Sequence, residues 1–343
     1  MKNEYLDWLS KETPGNWWHD SADPDEVKKS LEVGTIGVTT NPLLVKQALY
    51  SRPDLWKSIL KDMPSDLNPA QKAEEIIRRI TLEIASLLKP TYLQTNGEFG
   101  YACAQVNPRF PGDVDVMLPM AKRLSKWAPN ISVKLPTTAA GLDVLEECAA
   151  EGINLTSTVS YTVPQVVAIA QRYQKGVERA KKAGIKPGKC NAVIMIGRID
   201  DYLRDVAHDN KSNVQESDLA QAGIAISKRA HSIFKENGYE ATIMIAALRG
   251  TYHVTELGGA KMEFSIHPKI QEMIGKVEKP FEERIDVPVD KAVIERLQTI
   301  PDFVRAYEPD GMKAEEFITY GVVQKTLSQF IEAGWAEIEG YKY

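Results

Sequence analysis

Lys134 stands in the run Asn130-Ile131-Ser132-Val133-Lys134-Leu135-Pro136, between Val133 and Leu135, with no acid beside it. Lysine is among the residues least often fully buried. An isolated ammonium in an apolar strand is costly, so such a lysine tends to shed its proton and act as an amine nucleophile. Amine nucleophiles attack carbonyls and form Schiff bases. The competing reading is a lysine that snorkels from a strand end or pairs with a distant carboxylate. An imine used as an electron sink needs a proton shuttle and an anion clamp nearby. Asp20, Asn41, Gln105, Thr158, Arg198 and Arg249 supply those residue types. Each has a plainer role open to it. Asp20, followed by Ser21, Asp23 and Pro24, reads as a helix cap. Asn41 before Pro42 is a turn and cap residue. Thr158 is an ordinary strand former, and the arginines are candidates for surface ion pairs.

The elements that must carry these residues follow from patterning. Short β-branched, apolar runs alternate with amphipathic segments, the mark of βα units and a parallel sheet. Eight strands are expected near Trp17–Asp20, Thr35–Thr40, Tyr101–Val106, Ile131–Leu135, Ile153–Val159, Ala192–Ile196, Ala241–Ala246 and Met262–Ile266. Helices are expected from Asp23 and from Asn41, and over Pro69–Leu88, Asp113–Trp127, Thr138–Ala150, Val163–Ala183 and Gln215–Glu236. The expected fold is α/β, a (β/α)8 TIM barrel. The chain reads as a single domain over 1–343, with 280–343 as a helical C-terminal extension that includes a helix over Met312–Gly334. Ser51–Ser65, Lys186–Lys189 and Val277–Pro288 read as loops. In such a barrel, polar residues near the C-terminal strand ends face the active site, and that is where all seven residues fall.

Composition narrows the function classes. With 43% hydrophobic and 26% charged residues, the chain can bury a sizeable core. A net charge of −5 argues against a nucleic-acid or membrane-surface partner. Cys103, Cys148 and Cys190 are far apart and show no ligand spacing, so neither a disulfide framework nor a metal site is expected. A cytoplasmic, reducing location fits them. The N-terminus lacks the apolar run of a signal peptide, and no stretch approaches roughly 18 consecutive apolar residues. There is no Gly-rich phosphate loop, so the chemistry is expected from side chains alone, without a cofactor.

Five blocks resemble the transaldolase family, in order and in spacing, over roughly Asp20 to His267. They are Gly37-Val38-Thr39-Thr40-Asn41-Pro42; Val133 to Leu142; Glu151-Gly152-Ile153-Asn154 with Thr158, Ser160 and Gln165; Ile196-Gly197-Arg198-Ile199; and Ala246-Ala247-Leu248-Arg249. The resemblance implies that Lys134 forms the imine with a ketose and that Asp20 removes the C4 hydroxyl proton. It implies that Asn41 holds donor hydroxyls and that Thr158 orders the catalytic water. It further implies that Asn154 positions the intermediate, and that Arg198 and Arg249 grip a phosphate. Thr40 and Ser160 fall within the blocks and are carried along as substrate-binding residues.

The chain also departs from the family pattern. Gln105 stands where transaldolases usually carry a glutamate, and glutamine there resembles the fructose-6-phosphate aldolases and sulfofructose transaldolases. Those small aldolases use a tyrosine where this chain has Met195. Val193 and Ala247 stand where serines are expected. Tyr161, Tyr252 and His253 are candidate replacements. The reading is therefore a transaldolase-type enzyme moving a dihydroxyacetone unit from a ketose to an aldehyde, acting in the pentose phosphate pathway on sugar phosphates or other anionic sugars. A fructose-6-phosphate-aldolase-like or variant-substrate enzyme is the alternative. A non-catalytic sugar-phosphate-binding barrel is the third reading, although it has no need of a buried lysine that is costly to desolvate. If the chain associates, a homodimer is the assembly expected.

Overall fold

The computed structural model describes residues 3–342. Eight parallel strands close into a barrel in the order β1-β2-β3-β4-β5-β6-β7-β8. They are β1 (Asn16–Asp20), β2 (Gly37–Thr39), β3 (Tyr101–Gln105), β4 (Ile131–Pro136), β5 (Leu155–Thr158), β6 (Cys190–Met195), β7 (Thr242–Ala246) and β8 (Met262–Ile266). The ring is closed by β1 against β8, with Trp17 opposite Phe264. Every expected strand is present: β8 has its expected bounds, and the others differ by one or two residues at their ends. β3, β4, β5 and β6 are buried along their whole length. That burial explains their near-continuous apolar composition, because helices cover the sheet outside and side chains fill it inside.

Local signals place the helices. The Asp23 carboxylate accepts from the amides of Asp25 and Glu26 and starts Pro24–Val33. The Asn41 side chain caps Pro42–Ser51 in the same way. Asn68 and Gln71 form a reciprocal capping box on the helix Pro69–Gln94, which runs past the expected end at Leu88. Three expectations are corrected. Ser51–Ser65 is not a loop throughout: Pro53 opens a helix, Pro53–Leu60, whose Trp56 and Leu60 are buried. Gln215–Glu236 is two helices, Glu216–Leu219 and Ala222–Asn237. Met312–Gly334 is also broken, into Ala314–Phe317, Gly321–Phe330 and a π-helical turn, Ile331–Trp335.

The π turn packs against the helix Pro42–Ser51, and the following helix, Ala336–Gly340, packs against Pro69–Gln94. A Cβ on Gly334 would lie 2.8 Å from Pro42 Cβ and 2.9 Å from the Leu43 amide nitrogen. Only glycine lets the two backbones come that close. No helix among the described residues is long and apolar enough to cross a membrane.

Candidate active site

The C-terminal ends of the strands surround a cavity of about 190 Å³. Asp20, Asn41, Lys134, Thr158 and Arg198 all line it. Lys134 is 7% exposed, and its Nζ donates to the Thr40 carbonyl at 3.0 Å. Asp20, at the end of β1, accepts from Thr39 Oγ1 at 2.7 Å, and Thr39 in turn meets Ser265 Oγ at 2.6 Å. Asn41 uses its side-chain oxygen on the amides of Leu43 and Leu44, which leaves its NH2 group as the donor. Thr158 lies at the end of β5, its hydroxyl 3.9 Å from Met195 Sδ.

Gln105 is opposite Lys134 in the β3–β4 register. It is buried, and its Oε1 has no hydrogen-bond partner. An orphaned buried acceptor costs about 1–3 kcal/mol, a cost that a ligand or water hydroxyl at that spot would remove. Burial pushes the neighbouring Cys103 thiol up from its ordinary range, so the cysteine stays neutral.

Just beyond Thr158, Val159 is left-handed (φ 56°), an outlier for a β-branched residue. Such strain persists only where the surroundings over-determine it. Gln165 does so: its amide nitrogen donates to the Thr137 and Val159 carbonyls, and its oxygen accepts from the Tyr161 amide and the Thr162 hydroxyl. The turn thereby sends the chain away from the mouth as soon as Thr158 has been presented.

The other named residues have different places. Asn154 does not reach the cavity. It precedes β5, and its side chain accepts from the Lys189 amide at the N-terminal rim. Four residues at about 3.3 Å each put it roughly 13 Å below Thr158. The inward position next to Thr158 is Thr156, which pairs with Lys134 in the β4–β5 register and meets Ser132 Oγ at 2.7 Å. The Thr40 hydroxyl donates to the Cys103 carbonyl, so this residue offers the site its backbone rather than its side chain. Ser160 donates to the Val193 carbonyl and is fully buried. Arg249 is turned aside, with its guanidinium on Asp201. Tyr161 donates to Thr326, and the buried His253 pairs with Asp200, so neither replaces a missing serine in the cavity.

Several wall residues were not singled out from the sequence: Gln47 on the helix Pro42–Ser51, Met244 within β7, and Ser265 and His267 at the end of β8. Val193, Met195, Met244, Ala246 and Ala247 make the β6–β7 side apolar, while Asp20, Thr39, Ser265 and His267 make the β1–β2–β8 side polar. Arg198 faces the cavity from the helix Ile196–Asp209, and burial lowers its pKa from the ordinary arginine range. Thr326 accepts from its Nη1 at 3.4 Å, and the Phe330 ring lies 5.6 Å from its guanidinium. No group of three or more His, Cys, Asp or Glu among the described residues is placed to hold a metal ion.

Residues 17–333 match the family model described as transaldolase/fructose-6-phosphate aldolase. A protein named transaldolase from Thiobacillus denitrificans is 24% identical over 326 residues, covering 91% of this chain and 89% of that protein. A probable transaldolase from Dehalococcoides mccartyi is 27% identical over 238 residues, covering 69% of this chain and 79% of that protein. A lysine closed into the mouth of an eight-stranded barrel, a carboxylate on the first strand and a match over nearly the whole chain agree: the chain belongs to the transaldolase/fructose-6-phosphate aldolase family.

Proposed function

We propose that this transaldolase-type enzyme carries its ketose donor on Lys134 and transfers a dihydroxyacetone unit to an aldehyde. The observation that carries the reading is the shared cavity of Lys134, Asp20, Thr158 and Arg198. The Lys134 amine adds to the ketone carbon, and loss of water through Thr158 and Gln105 gives the imine. Asp20, with one oxygen held by Thr39, takes the C4 hydroxyl proton as the C3–C4 bond breaks. The electron pair of that bond is delocalised onto the imine nitrogen as an enamine. The first aldehyde leaves, a second one takes up the three-carbon unit as Asp20 returns the proton, and water hydrolyses the resulting imine to release the new ketose and the Lys134 amine. The Asn41 amide and the Ser265 hydroxyl, which both line the cavity, bind donor hydroxyls. Arg198 orients an anionic tail through charge-assisted bonds.

One observation favours a second reading, free aldol cleavage. Gln105 puts a neutral amide beside Lys134, and an amide positions water without shuttling its proton. The test supplies phosphorylated, sulfonated and unmodified ketoses with and without an acceptor aldehyde. Product that requires the acceptor, and that Lys134→Arg cannot make, supports transfer. Dihydroxyacetone release independent of acceptor supports cleavage. Full turnover by Lys134→Arg would place the nucleophile elsewhere.

A further inference from the structure

The two arginines near the mouth differ in what binds them. Arg198 has no carboxylate within ion-pair distance among the described residues; its contacts are Thr326 and the Phe330 ring. Arg249 has all three guanidinium nitrogens engaged. Nε and Nη2 donate to Asp201 Oδ2 at 2.9 and 2.6 Å, and Nη1 donates to the Ala247 carbonyl at 2.8 Å. Its backbone is held as well. The Arg249 amide donates to His253 Nδ1 at 3.1 Å, so His253 must carry its proton on Nε2, which faces Asp200 Oδ2 at 2.8 Å. Asp200 Oδ1 in turn accepts from the Gly223 amide at 2.8 Å. His253 and Asp200 are fully buried. Ala247, between the strand and the arginine, is left-handed (φ 58°). Gly197 leaves room for this packing: a Cβ there would lie 2.4 Å from the Ala247 carbonyl oxygen and 2.6 Å from Arg249 Cγ.

Asp200 and Asp201 are consecutive on the helix that carries Arg198. We propose that they withhold Arg249 from the pocket, Asp200 through its backbone and Asp201 through its side chain. Arg198 is then the one guanidinium offered to substrate, and the site takes a ketose whose distal end bears at most one negative charge. The inference rests on the cavity being the donor site. A phosphate monoester carries about −1.5 to −2 charges at neutral pH and is best met by several charge-assisted donors. Arg198 compensates one charge, the β6–β7 wall adds no donor, and a dianion reaching for Arg249 meets the Asp201 carboxylate as well. Asp201 is thus a specificity-determining residue.

The test is titration calorimetry with inorganic phosphate at pH 8 on the full chain, which needs no turnover. Wild type is expected to bind weakly, in the millimolar range or above. Asp201→Ala, which frees a guanidinium, is expected to tighten binding on the order of ten-fold. Arg249→Gln in the native background is expected to leave the dissociation constant unchanged, whereas Arg198→Gln abolishes binding. Micromolar binding by wild type that Arg249→Gln weakens ten-fold or more would overturn the proposal, whether or not Asp201→Ala folds. Kinetics supply the second readout: the ratio of KM for fructose to KM for fructose 6-phosphate should rise in Asp201→Ala, with kcat moving little. A ratio that falls would make Asp201 a holder of Arg249 for phosphate, the opposite role. Failure to trap any ketose on Lys134 would defeat the imine reading and leave the phosphate titration standing.

Discussion

Lys134 has its nitrogen on a backbone carbonyl and, on the adjacent strand in register, a glutamine with an orphaned oxygen. Proton transfer by a positioned acid or base is worth about 10²–10⁴ in rate, and Gln105 forgoes it. Gln105→Glu is therefore expected to speed imine formation and hydrolysis by about ten-fold or more, and to shift the ratio of transferred product to free cleavage product. Product analysis by chromatography reads both; an unchanged ratio would make Gln105 a spectator. Some of the single residues were legible from type and place. Asp20, Asn41, Lys134, Thr158 and Arg198 line one cavity because barrel chemistry collects at strand C-termini. Asn154 was carried over from the family resemblance alone, and the structure puts it before β5 at the opposite rim, a depth that inter-strand register sets. Arg249 sits at the right strand end, yet its orientation is set by Asp201, 48 positions away.

Among the elements, the turn after β5 carries the most constraint. Its left-handed Val159 is held by four hydrogen bonds to one buried amide, Gln165. Gln165→Leu keeps much of the volume but leaves buried carbonyls and an amide unpaired, at about 1–3 kcal/mol for each unsatisfied group. The expected outcome is a loss of at least about 2 kcal/mol in urea unfolding, with kcat/KM reduced because Thr158 is no longer fixed. Equal stability would show that the turn holds itself. The strands were readable because burial on both faces leaves an apolar signature that sequence displays. The C-terminal helices were readable as helices but not as pieces. The π turn at Ile331–Trp335 accompanies the close approach of Gly334 to Pro42, a contact between residues far apart in the sequence. Pro53 at a helix start was a usable signal, and the polar, charged sequence around it masked the buried Trp56.

For the molecule as a whole, two titrating groups act on stability in opposite senses. Burial pushes His19 down to about 4, so it is neutral in the fold and protonated in the unfolded chain below about 6.5. Its contribution is present above 6.5 and lost as pH falls towards 4, up to about 3 kcal/mol. Glu263, hydrogen-bonded by Asn191 in the lower half of the barrel, is pushed up to about 7 by burial. Its contribution is present at low pH and lost as pH rises towards 7. The two partly cancel in wild type. His19→Asn should therefore lose stability relative to wild type at pH 7 and regain most of that gap by pH 4; unfolding curves with a constant gap would contradict it. The mechanism is decided by where a ketose becomes covalently attached. Borohydride reduction during incubation with a ketose panel, followed by peptide mass mapping, locates that bond. The expected result is one sugar-derived mass on the peptide bearing Lys134, absent from Lys134→Arg. Label on a different lysine, or label that persists in Lys134→Arg, would contradict it.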